Sequence, residues 1–252
     1  MIRKLVGFCA MASVLAFPAA AQTVDEIIAK NVDAHGGMAK LKAIKSLRMT
    51  GRIGLGQGLE APLVLEVQRP KNMRLEITVQ GMTIVQAYDG ATGWQVVPFT
   101  GSTDPQPMSA DELKDAEDQA DLDGPLVGYQ EKGHKVELEG KENVEGADCF
   151  KLKVTKKNGD IQYYFVDSDS HLELKVEVKR NVRGTETEVE MSLGDYKDVD
   201  GYIMAHAISV GAKGSPQRQS MILDKVEINP TLDDARFKMP AAKAATPPPG
   251  SN

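Results

Sequence analysis

Residues 147–178 read ADCFKLKVTKKNGDIQYYFVDSDSHLELKVEV, and three strands run through them, at 149–156, 160–166 and 171–178. In the last, Leu172, Leu174, Val176 and Val178 alternate with His171, Glu173, Lys175 and Glu177. Successive side chains on a strand point to opposite faces, so this alternation gives one apolar face and one charged face. Phe150, Leu152 and Val154 repeat the pattern against Lys151 and Lys153, which puts Cys149 on the charged side. Asn158-Gly159 joins the first two strands as a tight hairpin, because both residue types tolerate positive φ.

The same theme extends outward. Alternating stretches at 47–55, 59–69, 72–79, 82–88 and 94–97 precede this segment, and a further strand begins near His134 with Val136 and Leu138 on one side. Strands at 186–196, 202–210 and 219–228 follow it. Gly-rich and Pro-containing turns separate them, among them Asp89-Gly90, Glu145-Gly146 and Asp200-Gly201. Helical signals are few. Thr23 with Glu26 forms a capping box before the apolar stripe Val24, Ile27, Ile28 and Val32, and His35-Gly36-Gly37 ends that helix. A short helix is expected at 38–44. Ser109 with Glu112 caps another in the acidic segment 109–123, whose apolar positions are thin: Leu113, Ala116, Ala120 and Leu122. The expectation is a mainly β protein with helices (α+β), its sheet a curved antiparallel one of about 11 strands, mostly consecutive neighbours.

The 252 residues suffice for one large domain, and no linker divides them; the loop at 98–108 leads into helices expected on the same sheet. Residues 1–21 read as a secretory signal: basic Arg3 and Lys4, an apolar core from Leu5 to Phe17, and cleavage after Ala19-Ala20-Ala21. Of 30 basic residues, two lie in that leader, leaving 28 against 36 acidic ones, a net charge of −8. Such a chain is expected to offer no electrostatic footprint for nucleic acid or for anionic lipid headgroups. Cys9 leaves with the leader, so Cys149 has no partner for an internal disulfide. Neither a metal nor a cofactor is expected. The Gly54-x-Gly56-x-Gly58 run is followed by a strand rather than the helix a phosphate loop needs. Asp121-Leu122-Asp123-Gly124 lacks the remaining ligands of a calcium loop and reads as a turn. Nucleophile elbows and zinc-protease motifs are missing, and the four histidines are scattered, so no catalytic residue is nominated and the chain is expected not to be an enzyme. Residues 241–252 carry no apolar pattern and read as a disordered tail.

A sheet of this size either packs an ordinary core or curves around an apolar space, because few helices and only 5% aromatic residues are available to fill it. The run Ala87-Tyr88-Asp89-Gly90-Ala91-Thr92-Gly93-Trp94 followed by Val97-Pro98-Phe99 resembles a strand–turn–strand of LolA-type outer-membrane lipoprotein-sorting proteins. Similar too are residues 146–155 (GADCFKLKVT), Tyr163-Tyr164-Phe165-Val166-Asp167, Gly194-Asp195-Tyr196 with Asp200-Gly201, and the closing Phe237-Lys238-Met239-Pro240. The likeness spans roughly residues 24–240. It implies one domain at 22–240: an incomplete β-barrel with a helical lid around a hydrophobic cavity that holds acyl chains. It also implies a monomeric periplasmic carrier of lipids or lipoproteins, with an inner-membrane donor and an outer-membrane acceptor as partners. An alternative is an envelope sensor of the same shape that regulates a protein partner. The expected lid is the 24–34 helix with the 109–123 segment. The expected lining is Leu63, Leu65, Val67, Met73, Leu75, Ile77, Val79, Phe150, Leu152, Val154, Leu172, Leu174 and Val176, with Trp94 placed by the motif.

Overall fold

The structure, a computed structural model, describes residues 22–182 and 185–241. The leader at 1–21 and residues 242–252 of the tail lie outside the described residues. Six strands come first: β1 (Ser46–Gly56), β2 (Leu59–Gln68), β3 (Asn72–Val79), β4 (Met82–Asp89), β5 (Gly93–Val96) and β6 (Gln106–Pro107). Seven more follow: β7 (Lys135–Val144), β8 (Ala147–Thr155), β9 (Ile161–Asp167), β10 (Glu173–Val182), β11 (Thr185–Val199), β12 (Tyr202–Ala212) and β13 (Arg218–Ile228). All 13 belong to one sheet, more than the eleven or so expected, in the order β6-β5-β4-β3-β2-β1-β13-β12-β11-β10-β9-β8-β7. The added strand β6 has only two residues, one of them Pro107, and no alternation could announce it.

Every neighbour in the sheet is antiparallel, and all but one pair are consecutive in the chain. The exception is β1 against β13, which welds two meanders into one surface (Leu47 opposite Ile228, Met49 opposite Val226). The sheet does not close, so the fold is an incomplete barrel with β6 and β7 as free edges. One edge is protected by its brevity, the other by the charged residues Lys135, Glu137, Glu139 and Lys141.

Three helices lie on the concave side: α1 (Val24–Ala34), α2 (Met38–Ala43) and α3 (Ala110–Ala120). Both capping boxes form as the sequence indicates, Thr23 with Glu26 and Ser109 with Glu112. Because α3 connects β6 to β7, it crosses from one free edge of the sheet to the other. It buries Ala116 and Ala120 against Leu63, Val67, Met73 and their neighbours on β1–β3. Helix α1 covers the other half, with Ile27, Ile28 and Val32 against Val136, Phe150, Leu152, Val154 and Val166.

Two local features differ from the sequence reading. In the hairpin between β8 and β9 only Gly159 takes a positive φ (90°), and its N–H donates to the Lys156 carbonyl at 2.9 Å. The connection is therefore a longer turn with glycine at the left-handed position, not a two-residue Asn-Gly turn. The alternation through 171–178 is also interrupted. Glu173 pairs with Val166, yet Lys175 pairs with Phe165, so Leu174 occupies a bulge. Beyond it Val176 pairs with Tyr164 and stays inward. The bulge swaps two side chains: Glu173 enters the interior, while Leu174 joins Val144, Cys149 and Phe165 in a small cluster on the convex face. Lys175 and Lys151 lie over the Phe165 ring, with Nζ 3.9 and 5.4 Å from its centroid. Cys149 does sit on the lysine side, but that side is locally buried, and burial pushes its thiol pKa up to about 11.

Candidate functional site: the concave face and its clefts

The inner wall is mainly apolar, interrupted by the buried His206 on β12 and Gln162 on β9. From register, Leu65, Leu75 and Ile77 on β2 and β3 face inward beside Met221, Val226 and Ile228 on β13. These side chains are only half-buried around the core beneath α3. On β11 and β12 the same face carries Met191, Leu193, Ile208 and Val210, also half-buried. The helices thus leave part of the apolar wall uncovered.

The expected lining residues separate into groups. Leu63, Val67 and Met73 are fully buried under α3, and Leu65, Leu75, Ile77 and Val79 surround them half-buried. Phe150, Leu152 and Val154 are buried under α1, and Val176 is buried and inward. Two residues face the other way, and a third lies off the strand. Leu174 points out through the bulge. Leu172 lies in the turn before β10, where its carbonyl accepts from the Asp167 N–H at 2.9 Å. Trp94 shares a register position with Ala87 and, through it, Arg74, the side opposite Met73 and Leu75. Its indole Nε1–H donates to the Phe237 carbonyl at 2.8 Å, and Arg74 lies 5.5 Å over its ring. Trp94 therefore anchors the C-terminal turn to the convex face. There Arg236 and Arg48 hold the buried Glu66, at 3.0 and 2.8 Å. In the other direction, Met191, Met204, Ile208, Val210 and Met221 were not nominated for the inner wall. Residues 202–210 are apolar at most positions of both parities, so the sequence does not disclose which parity faces in.

A cleft of about 230 Å³ lies between α1, the α3–β7 connection and the sheet, lined by Val32, Leu41, Leu122, Leu126, Val127, Tyr164 and Tyr202. Asn31, His35, Asp121, Asp123 and Glu173 also line it. His35, at the end of α1, donates through Nε2 to Glu173 at 2.8 Å and through Nδ1 to the Ile203 carbonyl at 2.6 Å. The bonding pattern assigns both ring nitrogens as donors, which is the imidazolium. Burial lowers the His35 pKa, but the Glu173 hydrogen bond and charge and the Ile203 carbonyl outweigh it, and the net displacement is upward. For Glu173 burial acts upward and is outweighed by the bonds and charge of His35, so its pKa falls. Asn31, buried on α1, donates to the His171 carbonyl at 2.8 Å. Gly36 seats the helix end: its φ is +107° and a Cβ there would stand 2.1 Å from the Gly201 carbonyl oxygen. The sequence placed His35 in the last turn but gave it no partner, because Glu173 was assigned to the outer face. Burial raises the Tyr164 pKa far above its usual range and that of Tyr202 to about 12, so both phenols stay neutral.

The acidic turn after α3 is tied down by cations rather than arranged for a metal. Arg69 grips Asp123 with two bonds, at 2.5 and 2.8 Å, and Lys132 reaches Asp121 at 2.6 Å. Among the described residues no group of three His, Cys, Asp or Glu side chains could hold a metal ion.

No protein-family model and no curated protein sequence matches this chain. Solved structures do. A DUF1329 family protein from Desulfovibrio piger is similar over 86% of this chain and 98% of its own, at 15% identity and a TM-score of 0.60. A LolA superfamily protein from Nitrosomonas europaea is similar over 86% and 98%, at 13% identity and 0.60. A domain described as an outer-membrane lipoprotein-sorting protein from Vibrio parahaemolyticus is similar over 85% and 97%, at 16% identity and 0.57. The fold is LolA-like.

Proposed function

We propose that this protein is a periplasmic carrier that takes acyl chains of lipids or lipoproteins into its concave face and moves them toward the outer membrane. The observation that carries this reading is the inward apolar wall, half-buried at Leu65, Leu75, Ile77, Met204 and Met221 beneath a helix that covers it mainly with alanines. Burying hydrocarbon there yields about 0.8 kcal/mol per CH₂, so a chain of ordinary length binds without any headgroup contact. The 230 Å³ cleft is smaller than the roughly 300–1,000 Å³ of typical ligand pockets, so loading requires a cover to lift. The secretory leader and the likeness to a domain described as lipoprotein-sorting support the compartment and the cargo class.

Native mass spectrometry of the protein purified from its own envelope tests this. The expected result is a lipid- or lipoprotein-bound species that Leu75→Gln depletes. Recovery of bare chain, or of a stoichiometric protein partner with no lipid, would contradict it; the latter would favour a sensor.

A further inference from the structure

Beside this mixed-lined cleft lies a second cavity of about 450 Å³ with a more charged lining. The two share Asp121, Pro125 and Tyr164, so they adjoin. The second is walled by the end of α3, the β2–β3 turn and the β8–β9 hairpin, and its lining is charged. Its carboxylates are largely committed. Asp118 pairs with Lys156 and accepts from Gln162, Asp121 pairs with Lys132, and Glu117 bonds the Tyr88 hydroxyl. The lining carries four lysines against three carboxylates, a net charge of +1 with His134 neutral. Lys71 and Lys157 line the cavity and, among the described residues, neither has a carboxylate partner. His134 lines it too. The Lys157 backbone N–H donates to His134 Nδ1 at 3.1 Å, which leaves Nε2–H as the ring's donor. Burial first, then the charges of Lys156 and Lys132, hold the His134 pKa down, so this tautomer persists at neutral pH.

We infer that this cavity receives the phosphate-bearing end of an amphiphile whose hydrocarbon enters the adjoining cleft, with Lys71, Lys157 and the Nε2–H of His134 as the recognising donors. The inference rests on the carrier reading for its hydrocarbon half only. Two ammonium groups and a neutral N–H suit a phosphate monoester or diester, which offers several acceptor oxygens.

Calorimetric titration of the full-length mature chain with dihexanoyl phosphatidylglycerol, dihexanoylglycerol and inorganic phosphate tests it. The phosphate-bearing lipid is expected to bind about tenfold more tightly than the uncharged one, the size of one charge-assisted hydrogen bond. Lys71→Gln with Lys157→Gln should remove that advantage and its salt dependence while leaving dihexanoylglycerol affinity unchanged. Both lysines are exposed, so folding is not at risk, and His134→Gln provides an independent variant. Binding of inorganic phosphate as tightly as the lipid, lost in the double variant, would keep the anion site but assign it to a free anion, removing its link to the carrier reading. Equal affinity for both lipids, unmoved by the lysine changes, would overturn the anion site and leave the carrier reading standing. Failure of every ligand would overturn both.

Discussion

The two covers of the concave face are built differently. Helix α1 inserts Ile27, Ile28 and Val32, of which Ile27 is 0% exposed. Its C-terminal end is fixed by Asn31 to the His171 carbonyl, by His35 to Glu173 and by Gly36 against the Gly201 carbonyl. Helix α3 inserts Ala116, Ala120 and a half-buried Leu113. Its side-chain ties run from Glu112 to Gln95, from Asp118 to Lys156 and Gln162, and from Glu117 to the Tyr88 hydroxyl, and their α3 ends are partly exposed. Burying three branched residues is worth roughly 1.5–3 kcal/mol each, an alanine methyl about 0.8. Partly exposed polar ties add little. On the carrier reading proposed above, the difference makes α3, rather than both helices of the expected lid, the cover that lifts at lower cost.

The sharpest way to break this contrast is to weaken each cover in turn. Ile27→Ala should cost about 2–5 kcal/mol of unfolding free energy, the range for emptying a well-packed site. Leu113→Ala, at a half-exposed position, should cost about 1 kcal/mol. Chemical denaturation measures both, and equal losses would erase the distinction.

A smaller effect concerns the α1 clasp. Glu173→Gln should cost about 1–3 kcal/mol by leaving the buried imidazole without its counter-charge. The pH dependence follows from the two shifts. The raised His35 pKa gives stability that is full below 6.5 and lost as pH rises through the folded-state value. The lowered Glu173 pKa gives stability present above 4.5 and lost as pH falls. The clasp is therefore strongest between about 4.5 and 6.5. The difference between wild type and Glu173→Gln should shrink from pH 6 to pH 8 in parallel melting curves.

The smallest effect is expected at Trp94, the chain's only tryptophan. Trp94→Phe removes the bond to the Phe237 carbonyl and should cost about 1 kcal/mol, with no change in acyl-chain affinity. Wild-type tryptophan fluorescence should stay constant on loading, since the ring sits on the convex face. A large spectral shift would return Trp94 to the interior.

Much of this was legible because strand alternation and capping chemistry are local. The capping boxes at Thr23 and Ser109 and the inward set on β2, β3 and β8 needed only neighbouring residues. What was hidden depends on distant partners. The β1–β13 pairing joins residues about 180 positions apart. The bulge at Leu174 places Glu173 where it meets His35, and nothing in the 171–178 pattern announces a skipped position. Trp94 was misplaced because an aromatic after a turn carries no sign of its face. The convex cluster of Val144, Cys149, Phe165 and Leu174 was missed because alternation treats one face as solvent.

The role of α3 is tested most directly by tethering it. With Gln95→Cys and Glu112→Cys, whose native side chains meet at 2.8 Å, a short bifunctional thiol reagent can bridge β5 to α3. The native Cys149 is buried, with its thiol pKa raised to about 11, and should not compete. Uptake of a fluorescent acyl probe should fall sharply in the bridged protein and recover when a cleavable bridge is cut. Unchanged uptake with α3 held down would contradict the proposal that hydrocarbon enters beneath it.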